Sequence, residues 1–422
     1  MRAMQALGRF RVLDFGTAWA APMASQLLAD MGAEVVKVES RVRLDGLRLG
    51  RPIVGDDVAG GDRGRWPELQ PVFHGLNRNK LGITVNLKHA DGVELIKRLA
   101  GQTDVVIHNY SPGVLERLGL DYDALRAVRP DIIVVGMPAA GETGPLSNVI
   151  AYAPIILALS GLMSMVGYED GTLVGELQSA WSDAVAGLHA AMAAVSALRH
   201  RDATGQGQHV EVAQWEATTS WLGEAVMDWA MNARAQGTTG NVDPGMAPHN
   251  CYPCRGSEAK EGWVSIAVGS DEEWRRFCRA VESGGGRGRN RWTRDPRYAD
   301  GFRRWRRRAE LDDHIRRWTR RFEPMEITQL LQRFGVAAMP VMTIEDQFLD
   351  PHFRQREVWP EVEHPMVGIE WLYGLAWRLH ETPGSVRHHA PLLGEHNRQV
   401  LGELLGVSES DLQRFERAEA VY

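Results

Sequence analysis

The feature that most constrains this chain is its opening strand–helix–strand alternation. Arg11-Val12-Leu13-Asp14-Phe15 reads as a short buried strand, Ala20 to Met31 carries small and apolar residues at helical spacing up to Gly32, and Ala33 to Glu39 is a second strand, rich in valine. Two strands joined through a helix run parallel with a right-handed crossover, and a parallel sheet needs both faces covered. The pattern continues: Ile83 to Leu87, Asp104 to His108 and Asp131 to Gly136 read as strands, with His89 to Ala100 an amphipathic helix. The expected fold is therefore a doubly wound α/β domain. Its first turn, Asp14 to Pro22, lacks G-x-G-x-x-G, and bulky Trp19 denies a pyrophosphate the close backbone approach of a dinucleotide site.

Ligands of open parallel sheets collect at the carboxyl ends of the strands. That makes Asn109 to Arg117, just after a strand, a candidate phosphate contact. A second basic cluster, Asn77-Arg78-Asn79-Lys80, precedes a strand, and Arg41 to Gly75 reads as an irregular surface loop. Ile150 to Met165 reads as an apolar core helix. Ser182 offers an N-cap side chain, and Asp183 then opens a run of alanines to Arg201. A carboxylate in a first helical turn is favoured by roughly 0.3–1 kcal/mol and stays ionised at neutral pH. Taken alone, such a residue is a stabilising charge.

A glycine turn, Thr204 to Gln208, leads to a short strand, His209 to Val212, and Ala213 to Ala233 is helical again. Gln236 to Pro248, with three glycines and two prolines, marks a loop at a domain boundary. Trp263 to Val268 is a strand of a smaller second domain ending near Val341. In that domain Trp305 to Phe322 has the spacing of an amphipathic helix with arginines on its wet face.

Composition excludes several function classes. With 54 carboxylates against 48 Lys plus Arg, no global charge draws nucleic acid or an anionic membrane. Three cysteines make no disulfide framework, the first ten residues hold no apolar signal core, and no apolar run nears the roughly 20 residues of a spanning helix, so a cytoplasmic protein is expected. His249, Cys251 and Cys254 give H-x-C-x-x-C without a second pair, so no metal is expected and the cysteines read as small strand residues.

The ordered segments VLDF (12–15), LLADMGAEVVKVE (27–39), NRNKLGITVNLK (77–88), DVVIHNYSPGVLERLGLDY (104–122), ALSGLM (158–163), Asp183 to Gly187, TGQGQHVEV (204–212) and His389 to Leu405 resemble the class III CoA-transferases, the CaiB/BaiF group of formyl-CoA transferase and alpha-methylacyl-CoA racemase. The resemblance implies a Rossmann-like large domain formed by both chain ends (1–225 and 342–422), a smaller α+β domain (226–341) and an interlocked dimer. It places Asp183 at the catalytic aspartate, which attacks an acyl-CoA thioester, forms a mixed anhydride and then carries CoA as an aspartyl thioester to an acceptor acid. Coenzyme A contacts are implied at Thr17, Ala18, Ala20, Arg41, Arg78, Lys80, Asn109, Tyr110, Arg117 and Leu118. No cofactor is held permanently. The family's glycine loop over the site corresponds to 237–247, where Gly237, Gly240 and Gly245 are not contiguous. Trp19 stands where the formyl transferases have glutamine, which points to a larger, less polar acid.

Two other readings accompany this one. The racemase branch pairs its aspartate with a His-Asp dyad, whose positions here are Tyr152 and Ala153. A non-catalytic CoA-binding subunit of a heteromeric transferase has no use for Asp183.

Overall fold

A computed structural model describes residues 5–54, 58, 60–175, 180–257, 260–284 and 290–422. Strands Arg11–Asp14 (β1), Glu34–Glu39 (β2), Lys80–Thr84 (β3), Val105–His108 (β4), Ile133–Gly136 (β5) and His209–Glu211 (β6) form one sheet in the order β3-β2-β1-β4-β5-β6, parallel throughout. Successive residues of β1, β2, β4 and β5 enter different cores, as the period of two requires. Val12 packs with helix Ala20–Asp30 (α1) and with Val185, Ala190 and Ala194 of the long helix Trp181–Thr204 (α3). Leu13 packs on the opposite face with Leu95 and Leu99 of helix Ala90–Ala100 (α2) and with Leu412 and Phe415 from the last stretch of the chain. Strand order reverses between β1 and β4, so the loops leaving those two strands diverge and open a crevice above their carboxyl ends.

The chain divides into two compact units. One comprises Met1–Leu162, Glu176–Arg234 and His352–Tyr422; the other comprises Met163–Gly175 and Ala235–Pro351. The second unit carries an antiparallel sheet of His249–Ser257, Lys260–Ala267 and Ala337–Pro340 over a core that includes Tyr252, Trp274, Phe277 and Trp318. Cys251 and Cys254 lie in its first strand as free thiols, and burial pushes Cys254 up to about 11. Among the described residues no group of three or more His, Cys, Asp or Glu side chains suits a metal ion, and no helix is long and apolar enough to cross a membrane.

Four local expectations are corrected. Strand β3 starts at Lys80 rather than Ile83. The stretch 41–75 is no featureless loop: it has helical turns at Gly46–Arg48 and Arg63–Glu68 and a helix from Pro71 to Asn77. These turns bury Arg48, which pairs at 2.8 Å with both Glu39 and Glu68 and lies 3.7 Å over the Phe73 ring. A cation that has left water needs such partners. The stretch 150–165 is two short helices, Ala153–Ser160 and Leu162–Met165, split at Gly161 with φ +90°, and Ile150 and Tyr152 are 85% and 76% exposed rather than core. The amphipathic stretch 305–322 is likewise divided, with one helix ending at Arg306 and the next, Arg308–Thr319, following a break at Arg307.

Candidate active site

The crevice is shaped by the turn that joins β1 to α1. Asp14, fully buried at the end of β1, accepts from the Gly16 N–H at 2.7 Å, from the Ser25 hydroxyl at 2.7 Å and from Lys80 Nζ at 2.9 Å. A Cβ on Gly16 would meet Asp14, Pro22 and Ala21 at 2.7–2.8 Å, so the turn requires glycine there. Across the crevice Asn109, just past β4, accepts from the Thr17 N–H at 3.0 Å and donates to the Thr17 carbonyl at 2.8 Å. One amide side chain therefore ties the two diverging loops.

Asp183 stands in the first turn of α3 and is only 9% exposed. The helix begins at Trp181 with Ala180 as N-cap and no side-chain cap, so Ser182 is not the cap residue. Its hydroxyl instead reaches the Ala153 carbonyl at 3.3 Å and the Asp183 carboxylate at 3.5 Å. The start of α3 packs on the start of α1. A Cβ on Gly187 would stand 3.0 Å from the Ala20 carbonyl and 3.2 Å from Met23, and this small residue permits the approach.

That contact changes the expected electrostatics of Asp183. Burial raises its pKa to about 6, against the Ala20 N–H, the Ser182 hydroxyl and its own N–H, which lower it. Desolvation thus outweighs the helix end, the reverse of the balance expected from sequence. That value still lies below neutral pH, so the charged form remains the main one at pH 7. A dry, ionised carboxylate flanked by backbone N–H groups is equipped to attack a carbonyl carbon and to stabilise the oxyanion that follows.

The other residues singled out from sequence fall in five different settings. Thr17, Ala18, Ala20, Asn109 and Tyr110 come together at the crevice; Thr17 is exposed, and burial pushes the Tyr110 phenol up to about 12, with Arg43 acting in the opposite sense. Arg41 and Arg117 are exposed cations: Arg41 reaches the Leu393 carbonyl at 3.3 Å, while the Arg117 guanidinium has no hydrogen bond or ion pair among the described residues. Leu118 packs at the edge of the core. Arg78 and Lys80 are internal instead. Arg78 is 1% exposed and bound to Asp30 at 2.7 Å, and Lys80 is 2% exposed and bound to Asp14, Asn77 and the Pro22 carbonyl. Gly237, Gly240 and Gly245 lie in the second unit, where Gly240 has φ +58° and neighbours Glu169, and the Gly245 N–H donates to the Asp243 carboxylate at 2.7 Å.

Two residues of the crevice escape a reading of the sequence. Lys37 sits in β2 with no exposure, and Asp45 lies in the stretch that reads as a loop. A lysine amid valines in a strand covered on both faces must find a carboxylate, which is a usable signal for Lys37. Nothing in the sequence marks Asp45.

Known proteins now bear on this geometry. The family described as CoA-transferase family III matches residues 7–397. Over 422 residues the chain is 32% identical to the succinyl-CoA–D-citramalate CoA-transferase of Chloroflexus aurantiacus, covering 100% of this chain and 99% of that protein. It is 30% identical over 409 residues to the succinate–glutarate CoA-transferase of Agrobacterium fabrum, covering 94% and 95%. In structure it is similar to a CaiB/BaiF family protein from Brucella suis, with TM-score 0.83 and 28% identity over 95% of this chain and 99% of that one. With nearly the whole sequence aligned and the α/β fold shared, the chain belongs to the class III (CaiB/BaiF) CoA-transferases.

Proposed function

We propose that this enzyme moves coenzyme A from an acyl-CoA donor to a free carboxylic acid through covalent intermediates on Asp183. The observation that carries the reading is a carboxylate nine-tenths buried between two helix starts yet charged at neutral pH. An Asp183 oxygen attacks the thioester carbonyl, and the C–S bond breaks to give a mixed anhydride and CoA thiolate. The thiolate attacks the aspartyl carbonyl, forming an aspartyl-CoA thioester as the donor's carboxylate leaves. The acceptor carboxylate displaces thiolate from that thioester, and the thiolate then takes the acceptor's acyl group, which restores the Asp183 carboxylate. No proton is gained or lost overall, so the site needs dryness and oxyanion donors more than a general acid.

Relatives named for succinyl-CoA and succinate favour succinyl-CoA as donor. Coenzyme A is assigned to the crevice at Thr17, Ala18, Ala20, Asn109 and Tyr110, with exposed Arg117 and Arg41 as phosphate partners, and the internal Arg78 and Lys80 as supports of the sheet edge. A racemase would need an acid–base group beside Asp183. The Ser182 hydroxyl beside Asp183 reaches the carbonyl of Ala153, which has no such group, and the adjacent Tyr152 is no substitute, because a phenol is a poor base at neutral pH. Relatives named as alpha and beta subunits of a malate transferase make a heteromer the alternative to a homodimer.

The test is CoA exchange between succinyl-CoA and labelled free acids. Asp183→Ala is expected to abolish exchange with the fold retained, and mass spectrometry of wild-type protein to find an acyl or CoA adduct on the peptide bearing Asp183. Exchange persisting in Asp183→Ala would remove Asp183 from the mechanism.

A further inference from the structure

The turn between β1 and α1 holds a residue in an unfavourable conformation. Ala18 has φ +57°, a left-handed backbone that crowds the Cβ of any residue but glycine. It persists because a buried ion pair clamps both sides of it. The Asp45 carboxylate accepts from the Ala18 N–H at 3.0 Å with one oxygen, which also accepts from the Leu47 N–H at 3.0 Å. Its other oxygen faces Lys37 Nζ at 3.6 Å, and that ammonium donates to the Gly16 carbonyl at 2.8 Å. Lys37 has no exposed surface and Asp45 is 5% exposed, so neither has water as an alternative partner. Two residues beyond Ala18 comes Ala20, fully buried, whose carbonyl lies against Gly187, one turn along α3 from Asp183. Among the described residues, the groups that favour the charged form of the Asp183 carboxylate are the Ala20 N–H, the Ser182 hydroxyl and the residue's own N–H, with no charged side chain.

We propose that Asp45, seated by Lys37, is a positioning residue for the transfer reaction: it holds the left-handed turn at Ala18 and so keeps the start of α1 seated against the first turn of α3, which carries Asp183. Neither residue touches the reacting atoms. The proposal rests on Asp183 being the nucleophile, and its test separates the two claims. Strain held in place by surrounding structure is commonly found where geometry must be kept for function. If the clamp is released, Ala18 relaxes, α1 loses its starting position and the carboxylate loses a donor that favours its charged form.

The experiment measures kcat for CoA exchange from succinyl-CoA between pH 5 and 9 in wild type, Asp45→Ala and Asp45→Ser. Serine keeps a small polar side chain at the site, but its hydroxyl is too short to take the place of the carboxylate against the Ala18 N–H. In both variants the acid limb is expected to move up by about one pH unit, giving about a fivefold loss at pH 6 that shrinks to under about twofold at pH 8.5. The sign discriminates, because removing the negative charge of Asp45 would by itself move the limb down. An unmoved limb, a downward shift, or a loss equal at every pH would overturn the proposal; if Asp45→Ala does not fold, Asp45→Ser alone decides. Absence of any Asp183 adduct in wild-type protein would instead overturn the nucleophile assignment, whatever the limb does.

Discussion

The pKa of Asp183 rises from 3.8 in the unfolded chain to about 6 in the fold, so between those values the folded state binds more protons than the unfolded state. The group's contribution to stability is therefore lost as pH rises through that window, by up to about 3 kcal/mol above it. Asp183→Asn removes the buried charge and keeps an oxygen for the Ala20 N–H. Its urea unfolding free energy is expected to exceed wild type by about 1–3 kcal/mol at pH 8 and to match it near pH 4, while exchange activity disappears. A variant no more stable than wild type at pH 8 would show that the carboxylate is not desolvated. Sequence could place this residue at a helix start. It could not show that the helix start is pressed against another helix, which sets the sign of the shift.

Among elements, the loops after β1 and β4 do most to form the crevice, and they were legible to different degrees. The Asn109 to Arg117 stretch announced itself as a basic loop following a strand. The family resemblance drew in Arg78 and Lys80, yet those cations turn inward to Asp30 and Asp14. Charge in a sequence gives no direction, and buried carboxylates on neighbouring elements decided it. Arg117 remains exposed and unpartnered among the described residues, so Arg117→Ala should weaken coenzyme A binding about tenfold, as loss of one charged phosphate contact does, with kcat changed by less than about threefold. Isothermal titration with CoA checks this, and an unchanged Kd would take Arg117 out of the site.

Across the whole molecule, the two ends of the chain share one core. The backbone of Val421 bridges to Val85, the Tyr422 carbonyl accepts from Thr84 Oγ1 at 2.6 Å and from Asn397 Nδ2 at 2.7 Å, and Ala420 and Val421 are fully buried. Truncation after Arg417 strips these partners from the end of β3 and is expected to cost roughly 3–5 kcal/mol, read as a lowered urea midpoint. An unchanged midpoint would mean the tail is not part of the core. The alternation of strands and helices, the apolar runs and the acidic start of a long helix are local patterns; the sequence by itself determined the parallel α/β fold and set Asp183 in a helix's first turn, and its resemblance to the family made that residue the candidate nucleophile. Which cations face the crevice, why Ala18 is left-handed, and that Lys37 and Asp45 hold the turn next to Asp183 were decided only by the tertiary structure. Burial, ion pairing and close helix contact join residues far apart in the chain, and no local period in the sequence records them.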